Sequence, residues 1–172
     1  MAAAAALVEE VGVRGVTMDA LACRAGVGKG TVFRRFGSRE GLMGALLNQS
    51  ETEWQSAVMG GPPPLGPGAP PRERLLRFGE SRMILNLRHA ELIEAAGNPG
   101  ARSVGALSFT TMHVRYLLGQ LGVEGDLAYL ATALVAPLEI IVLREQVERA
   151  DVPMDRLVSG WSDLVRRVVG VT

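Results

Sequence analysis

Four basic side chains are concentrated in residues 26–39, near the start of the chain. The stretch, GVGKGTVFRRFGSR, carries Lys29, Arg34, Arg35 and Arg39 and contains no acidic residue. Lysine and arginine bind phosphate oxygens, and arginine can also donate two parallel hydrogen bonds to guanine in the major groove of DNA. The chemistry of this stretch therefore favours a contact with double-stranded DNA.

The same stretch suggests a competing chemistry. Residues 26–31, GVGKGT, resemble the phosphate loop of a nucleotide phosphotransferase, which requires a preceding β-strand and a glycine five residues before the Gly-Lys pair. Position 23 is a cysteine, the preceding TMDALACRA has the pattern of a capped helix, and no later acidic strand supplies a magnesium ligand. The sequence disfavours the phosphotransferase, which we keep as the alternative function.

Other constellations for catalysis or metal binding are weak. His89 and His113 both fall in helical segments without a serine or cysteine nucleophile nearby. A single cysteine, Cys23, excludes an intrachain disulfide and a cysteine-rich zinc site. We predict no catalytic residue, no metal site and no cofactor, so the protein is not expected to be an enzyme.

Charge is distributed unevenly along the 172 residues, which carry 18 basic and 18 acidic side chains. Residues 1–50 hold six basic and four acidic residues, which leaves 12 and 14 for the remainder. Such a distribution suits a small nucleic-acid module attached to a larger body. Residues 1–8 make a poor signal peptide and the apolar segment 127–143 is interrupted, so we expect a cytoplasmic protein that spans no membrane.

Local signals place the basic stretch on a pair of helices. A first helix is predicted over residues 2–11; it starts without a cap, so we expect a truncated start or an upstream arm. Thr17 has the position of an N-cap for the second helix, and Gly26 suits the left-handed turn that ends it. A third helix over residues 29–36 would carry the basic side chains on its outer surface.

The rest of the chain is also predicted to be helical. A fourth helix starts near Ser38, and a loop at Met59–Pro71 holds six prolines and four glycines. We interpret this loop as a linker between two domains; a polyproline recognition peptide is the alternative. Further helices are predicted over 72–96, 103–121, 126–150 and from 153 onward. The predicted fold is all-α, with about nine helices.

The run GVTMDALACRAGVGKGTVFRRFGSREGLMGALL resembles the N-terminal DNA-binding domain of the TetR family of transcriptional regulators. The resemblance covers about residues 2–47, with Phe33 where the family usually has tyrosine and Arg39 where it usually has lysine. It implies a helix-turn-helix domain over 1–47, followed by a helical ligand-binding and dimerisation domain over 48–172.

The resemblance also implies which residues contact DNA. They are Thr17, Gly28, Lys29, Thr31, Phe33, Arg34, Arg35 and Arg39. Thr17 and Arg39 would hold phosphates, while Lys29, Thr31 and one of the two central arginines would lie near bases; the choice of arginine stays open. With Phe33 in place of tyrosine, we expect DNA affinity to depend mainly on Lys29, Arg34, Arg35 and Arg39 and to fall steeply with salt.

The implied function is a ligand-responsive repressor that binds an inverted-repeat operator as a homodimer and is released by a small-molecule effector. Candidate effector-binding residues are Phe78, Arg82, Met83, Phe109, Met112, His113 and Tyr116. Candidate dimer-interface residues, chosen from the apolar segment 127–143 and the last helix, are Leu134, Leu138, Ile141, Leu157, Trp161, Leu164, Val165 and Val168. A purely intramolecular core is the alternative explanation for the second set.

Overall fold

The computed structural model describes residues 1–97 and 103–170, apart from the side chains of residues 103–107. Within these ranges the chain is helical and contains no β-strand, which confirms the predicted all-α fold. Two compact units can be distinguished. The first comprises Met1–Glu53 with the segment that begins at His89, and the second comprises Trp54–Arg88 with the segment that begins at Ser103.

The first unit contains the elements around the basic stretch. Its helices are α1 (Ala2–Gly15), α2 (Met18–Ala25), α3 (Lys29–Phe36), the start of α4 (Arg39–Gly60) and α6 (Ala90–Ala95). Gly12 interrupts α1 with a φ of +70°, at the residue where the sequence predicts the first helix to stop. The apolar side chains of Val16, Leu42 and Met43 are fully buried.

The second unit is built on a single apolar core. Its helices are α5 (Pro71–Arg88), α7 (Ser103–Gln120), α8 (Leu127–Val135), α9 (Ile140–Arg144) and α10 (Met154–Val169), together with the end of α4. Phe78, Leu117 and Leu134 are among the buried side chains that form this core. Trp161 packs so closely against Gly79 that a β-carbon there would overlap the indole ring.

The single long helix predicted over 126–150 is wrong. The chain instead forms α8, a 3-10 turn at Ala136–Leu138, α9 and a π-helical segment at Glu145–Arg149. Pro137 lacks a backbone N–H and clashes with the preceding turn, so the regular helix ends there. The side chain of Asn86 donates a hydrogen bond of 2.7 Å to the backbone oxygen of Leu138, which satisfies a buried acceptor at the break.

The proline- and glycine-rich loop is shorter than predicted. Helix α4 continues through residue 47 to Gly60, and α5 starts at Pro71, where the fixed φ of proline suits the first turn of a helix. Residues 61–70 therefore connect two helices inside the second unit and do not form the boundary between the units. The division into domains 1–47 and 48–172 stays a prediction.

Two further properties concern the described part of the chain. No single helix there is long and apolar enough to cross a membrane, although Leu127–Leu138 and Ile140–Arg149, bent by 41°, reach the required length and composition as a pair. In the same ranges, no three His, Cys, Asp or Glu side chains are grouped so that they could hold a metal ion.

Candidate nucleic-acid interface

Helices α2 and α3 are joined by a tight turn. The side-chain oxygen of Thr17 accepts a hydrogen bond of 3.1 Å from the backbone N–H of Ala20, which confirms the predicted N-cap. Gly26 ends α2 with a φ of +65°, in the left-handed conformation that glycine adopts without strain. Because a helix precedes the GVGKGT segment, it lacks the strand that a phosphate loop requires, and the phosphotransferase interpretation fails.

Helix α3 has one buried side and one open side. Val32 is 3% exposed and anchors the helix to the first unit, and Phe36 is half-buried beside it. The predicted contact residues on the other side are all exposed: Gly28, Lys29, Thr31, Phe33, Arg34 and Arg35. Six of the eight predicted DNA contacts are therefore exposed residues of α3 or of its N-cap, and we call these six residues the α3 face.

The cations of the α3 face differ in their partners. The ammonium group of Lys29 lies 2.5 Å from a carboxylate oxygen of Asp19 on α2. The guanidinium of Arg35 stacks over the ring of Phe36, with its central carbon 5.4 Å from the ring centroid. Arg34 has no ion pair or side-chain hydrogen bond to any residue that the structure describes. Arg34 is thus the arginine whose donors are most available to a ligand.

Arg39, the predicted phosphate contact at the start of α4, is already engaged. Its Nε donates a hydrogen bond of 3.0 Å to the backbone oxygen of Val16, and its Nη2 donates one of 2.6 Å to that of Val13. Both acceptors belong to the end of α1 and the residue that follows it. This geometry gives Arg39 a positioning role within the first unit, while its contact with phosphate stays a prediction.

Sequence reasoning missed the contribution of Gly41 to the junction between α3 and α4. The side-chain oxygen of Ser38 accepts a hydrogen bond of 3.1 Å from the backbone N–H of Gly41, which caps α4. A β-carbon at Gly41 would overlap the backbone oxygen of Phe36, so only glycine lets the two helices approach this closely. The sequence carried one sign of this close approach, which is a glycine in the first turn of a predicted helix. Glycine has a low helix propensity, so its presence there indicates a structural requirement.

The first turn of α4 also carries a carboxylate whose surroundings favour its charged form. Hydrogen bonds from the backbone N–H of Glu40 and from the side chain of Ser38 lower the pKa of Glu40, and the charge of Arg39 acts in the same direction. An anion in the first turn is favoured by the helix dipole. Glu40 therefore helps to define where α4 begins.

Comparison with known proteins relates the first unit to a known family. A family model described as bacterial regulatory proteins, tetR family, matches residues 1–46, which include the whole α3 face. Residues 1–46 form a DNA-binding domain of the tetR family. The α3 face accordingly belongs to the helix-turn-helix of a DNA-binding transcription regulator. No curated protein matches the chain in sequence.

Solved structures match the fold of this chain along nearly its whole length. A TetR-like transcriptional regulator from Rhodococcus sp. RHA1 has a TM-score of 0.62 at 23% identity, over 98% of this chain and 93% of that chain. PfmR, a TetR family transcriptional regulator from Thermus thermophilus, has a TM-score of 0.62 at 19% identity, over 98% and 97% of the two chains. At these identities the likeness concerns the fold of the two units.

The predicted effector-binding residues fall into different surroundings in the second unit. Phe78, Arg82 and His113 are buried, and half-buried Phe109 completes a stack in which the His113 ring lies 5.2 Å from that of Phe78 and 6.0 Å from that of Phe109. In contrast, Met112 and Tyr116 are 60% and 52% exposed. The structure brings three aromatic members together in the core and leaves two members at the surface.

His113 is a neutral member of this stack. Burial lowers the pKa of His113 to about 4, and the positive charge of Arg74 acts in the same direction. Its Nε2 is buried and has no hydrogen-bond partner among the described residues. An imidazole in this setting packs as an aromatic ring at neutral pH.

The second unit contains a groove and a cavity that are each large enough to bind a small molecule. An open groove of about 920 Å³ lies between α7 and α8, and both Met112 and Tyr116 line it. A smaller cavity of about 250 Å³ is lined by Met83, Leu138 and Trp161. Only Met83 among the predicted effector-binding residues contributes to this second cavity.

Most of the predicted dimer-interface residues are used inside the chain. Leu134, Leu138, Leu157, Trp161 and Val165 are at most 9% exposed and belong to the core of the second unit. Leu164 and Val168 pack against that core and are half-buried. Only Ile141, which is 73% exposed, presents most of its side chain to solvent. For the first five residues, packing within one chain is the observed role, and their part in a dimer interface stays a prediction.

Proposed function

We propose that this TetR-family protein is a ligand-responsive repressor that binds an inverted-repeat operator as a homodimer and releases it when an effector binds. The observation that carries the proposal is the α3 face: exposed basic side chains on the second helix of a helix-turn-helix, in a helix that itself contains no acidic residue. A helix of this kind enters the major groove with its exposed side chains directed toward base edges.

Within this proposal, Arg34 reads a base. Its guanidinium is exposed and makes no ion pair in the described part of the chain. Two of its N–H groups are therefore available to donate parallel hydrogen bonds to guanine. Lys29 and the N-terminus of α3 hold phosphate, since Gly28 supplies no side chain to cap the first backbone N–H groups of that helix. Arg35, stacked on Phe36, is the second candidate for a phosphate contact.

The homodimer follows from the way such helices read DNA. Two symmetry-related copies of α3 reach successive major grooves when they lie roughly 34 to 36 Å apart, or a multiple of that distance. The two half-sites of the operator are then related by the same two-fold axis as the protomers, which makes the operator an inverted repeat. A repressor of this type acts on chromosomal DNA, so we place it in the cytoplasm.

The effector acts on the second unit. We assign it to the cavity of about 250 Å³, where apolar Met83, Leu138 and Trp161 are joined by the polar side chains of Gln146 and Arg156. Such a lining suits a compact apolar molecule that carries one anionic or hydrogen-bonding group. Release of DNA requires that this molecule bind more tightly to the protein free of operator than to the bound form.

The experiment that tests the proposal is the selection of bound sequences from a random DNA pool, followed by affinity measurements with variants. We expect an enriched inverted repeat. Arg34→Ala should weaken binding to that repeat by roughly 5- to 150-fold, corresponding to about 1 to 3 kcal/mol for a lost base contact. The loss on random DNA should be smaller, because that binding depends on phosphates.

A matched control is Arg77→Ala, which removes an arginine paired with Glu80 on α5, in the second unit. This variant should bind the repeat like the wild type. A pool without any enriched sequence would contradict sequence-specific regulation, and equal losses for Arg34→Ala on both kinds of DNA would assign Arg34 to a phosphate.

The effector is tested on the complex with the selected repeat. A library of small apolar acids is screened for compounds that release the DNA, and the screen is repeated with Gly160→Leu, which places a side chain at the rim of the cavity. We expect this variant to bind DNA normally and to lose the response. A response that survives in Gly160→Leu would move the effector to another site.

A further inference from the structure

We infer that Gly30 and Phe33 form an apolar subsite on α3 that receives the methyl group of a thymine, beside the base that Arg34 reads. The inference rests on the proposed function, because it concerns the operator that the α3 face binds. It adds one determinant of the operator sequence, namely a thymine in each half-site that is recognised through its methyl group in the major groove.

Phe33 exposes a large apolar ring on α3. Its side chain is 48% exposed, whereas Val32 on the same helix is 3% exposed and Phe36 is half-buried. Phe33 makes no ring contact with any residue that the structure describes. About half of Phe33 is therefore available to a partner, and covering it would remove apolar surface from water.

Gly30 has no structural requirement within the described part of the chain. It lies inside α3, its φ is not positive, and a β-carbon there would meet no neighbouring atom within 4 Å. Gly26, in contrast, needs its left-handed conformation, and Gly41 needs its close contact with the backbone of Phe36. Alanine would favour the helix at position 30. What glycine provides there is a closer approach for a partner than a β-carbon would allow.

Gly30, Phe33 and Arg34 are neighbours on one side of α3. Residues three and four apart adjoin each other on a helix surface, so Gly30 lies one turn before the other two. Gly30 also precedes the buried Val32 by two residues, which places it about 200° around the helix and away from the unit. Side chains on a helix lean toward its N-terminus, so those of Phe33 and Arg34 border a shallow hollow over Gly30.

The hollow suits a thymine methyl group better than a phosphate. The ring of Phe33 carries no hydroxyl that could donate to a phosphate oxygen. Covering such an oxygen with an apolar ring would cost hydration free energy without forming a hydrogen bond. Thymine presents a methyl group in the major groove, and phenylalanine is among the side chains that make apolar contact with it.

Arg34 supplies the second half of this recognition. Its exposed guanidinium makes no ion pair in the parts of the chain that the structure describes, and it suits the two acceptors of guanine. Because Phe33 and Arg34 border the same hollow, we expect the thymine and the guanine on neighbouring base pairs of one half-site.

The test removes only the methyl group from the DNA. The full-length protein is bound to the repeat selected from the random pool, and each thymine of the half-site is replaced in turn by deoxyuridine. Deoxyuridine keeps the base pair and every hydrogen-bonding group. At one position we expect the replacement in both half-sites to weaken binding by roughly 15-fold, from about 4-fold for each buried methyl group.

Protein variants then locate the contact. Phe33→Ala should bind thymine and deoxyuridine repeats with affinities that differ by less than about 2-fold, because the contact has already been lost. Phe33→Tyr keeps the ring and should keep the discrimination. Thr31→Ser removes the other exposed methyl group near the hollow and should also keep it. Circular dichroism checks that each variant is folded.

Gly30→Ala gives a second and independent measurement. Its thermal midpoint should be at least as high as that of the wild type, since alanine favours the helix. Its affinity for the repeat should fall by about 5-fold or more, as for a mismatched base pair. Gly44→Ala is the matched control, because a β-carbon there also meets no neighbouring atom within 4 Å. It should bind the repeat like the wild type.

The outcomes separate this inference from the proposed function. A pool without an enriched repeat would remove the proposed function itself. A repeat whose thymines all tolerate deoxyuridine would leave the repressor in place and overturn the subsite. Discrimination that persists in Phe33→Ala and disappears in Thr31→Ser would assign the methyl group to Thr31 and overturn it as well. So would a Gly30→Ala protein of unchanged affinity.

Discussion

Arg39 donates a 2.6 Å hydrogen bond from its Nη2 to the backbone oxygen of Val13, so one side chain joins the end of α1 to the start of α4. A second bond, from Nε to the oxygen of Val16, holds the same guanidinium in place. The carbonyl groups at the end of a helix have no partner within the helix, and a cation suits them. Arg39 thereby contributes to the frame that orients α3.

Replacing Arg39 should reduce both stability and DNA binding. Arg39→Ala removes two hydrogen bonds that a charged group makes at a half-buried site, so we expect a loss of about 2 kcal/mol in the free energy of unfolding. Chemical denaturation and operator affinity are measured on the same preparation. Arg34→Ala serves as the control, because it should lower affinity and leave the unfolding midpoint unchanged. An Arg39→Ala protein of normal stability would assign Arg39 to phosphate alone.

Removing the acid beside Lys29 should strengthen DNA binding. Asp19 lies 2.5 Å from the ammonium group of Lys29 and places a negative charge close to the α3 face. With Asp19→Asn, affinity for both operator and random DNA should rise several-fold. The slope of log affinity against log salt should change by less than about 0.9, the value for one whole phosphate contact, because Lys29 contacts a phosphate with either side chain at position 19.

The control for that substitution is Glu124→Gln, which removes an exposed acid from the second unit. It should leave both the affinity and the salt slope unchanged. An Asp19→Asn protein that binds DNA more weakly would mean that the ion pair is needed to hold Lys29 in its binding position.

Gly41 and Gly44 provide a matched pair within α4. A β-carbon at Gly41 would overlap the backbone oxygen of Phe36, whereas one at Gly44 would meet no neighbouring atom within 4 Å. We expect Gly41→Ala to lower the free energy of unfolding by about 1 to 3 kcal/mol through overpacking. Gly44→Ala should raise it by up to about 1 kcal/mol through helix propensity. Thermal unfolding checks both, and similar midpoints for the two variants would exclude the close contact.

Stability should decrease as the pH falls from about 6.5 toward 4. The folded pKa of His113 is about 4, below the ordinary value of 6.5 that applies to the unfolded chain. In this window the unfolded chain binds a proton that the folded state does not, so unfolding is favoured as the pH falls. The contribution reaches up to about 3 kcal/mol near pH 4 and is absent above pH 7.

Urea denaturation at a series of pH values measures this contribution. His113→Gln removes the titrating group, so its free energy of unfolding should vary less between pH 7 and pH 4 than that of the wild type. An unchanged pH dependence in this variant would show that other groups cause the acid sensitivity.

Short-range patterns in the sequence were sufficient to predict the helix-turn-helix. The Thr17 cap, the left-handed turn at Gly26 and the exposed basic side of α3 each depend on a few neighbouring residues, and the structure contains all three. Such features are set by backbone conformation and local hydrogen bonds, which a short window of sequence already contains. The all-α fold followed from the same helical periodicity.

Tertiary packing decided which apolar helix faces are buried inside the chain, and the helical periodicity of the sequence does not show this. An apolar stripe such as Leu157, Trp161 and Val165 looks the same in sequence whether it meets its own chain or a partner, and here it meets its own core. The break after α8 and the surroundings of His113 likewise depend on residues far away in the chain, such as Asn86 and Phe78. By itself the sequence determined most of the helices and the exposed basic stretch, since these are local. The structure decided which faces are buried, because burial depends on contacts between distant segments.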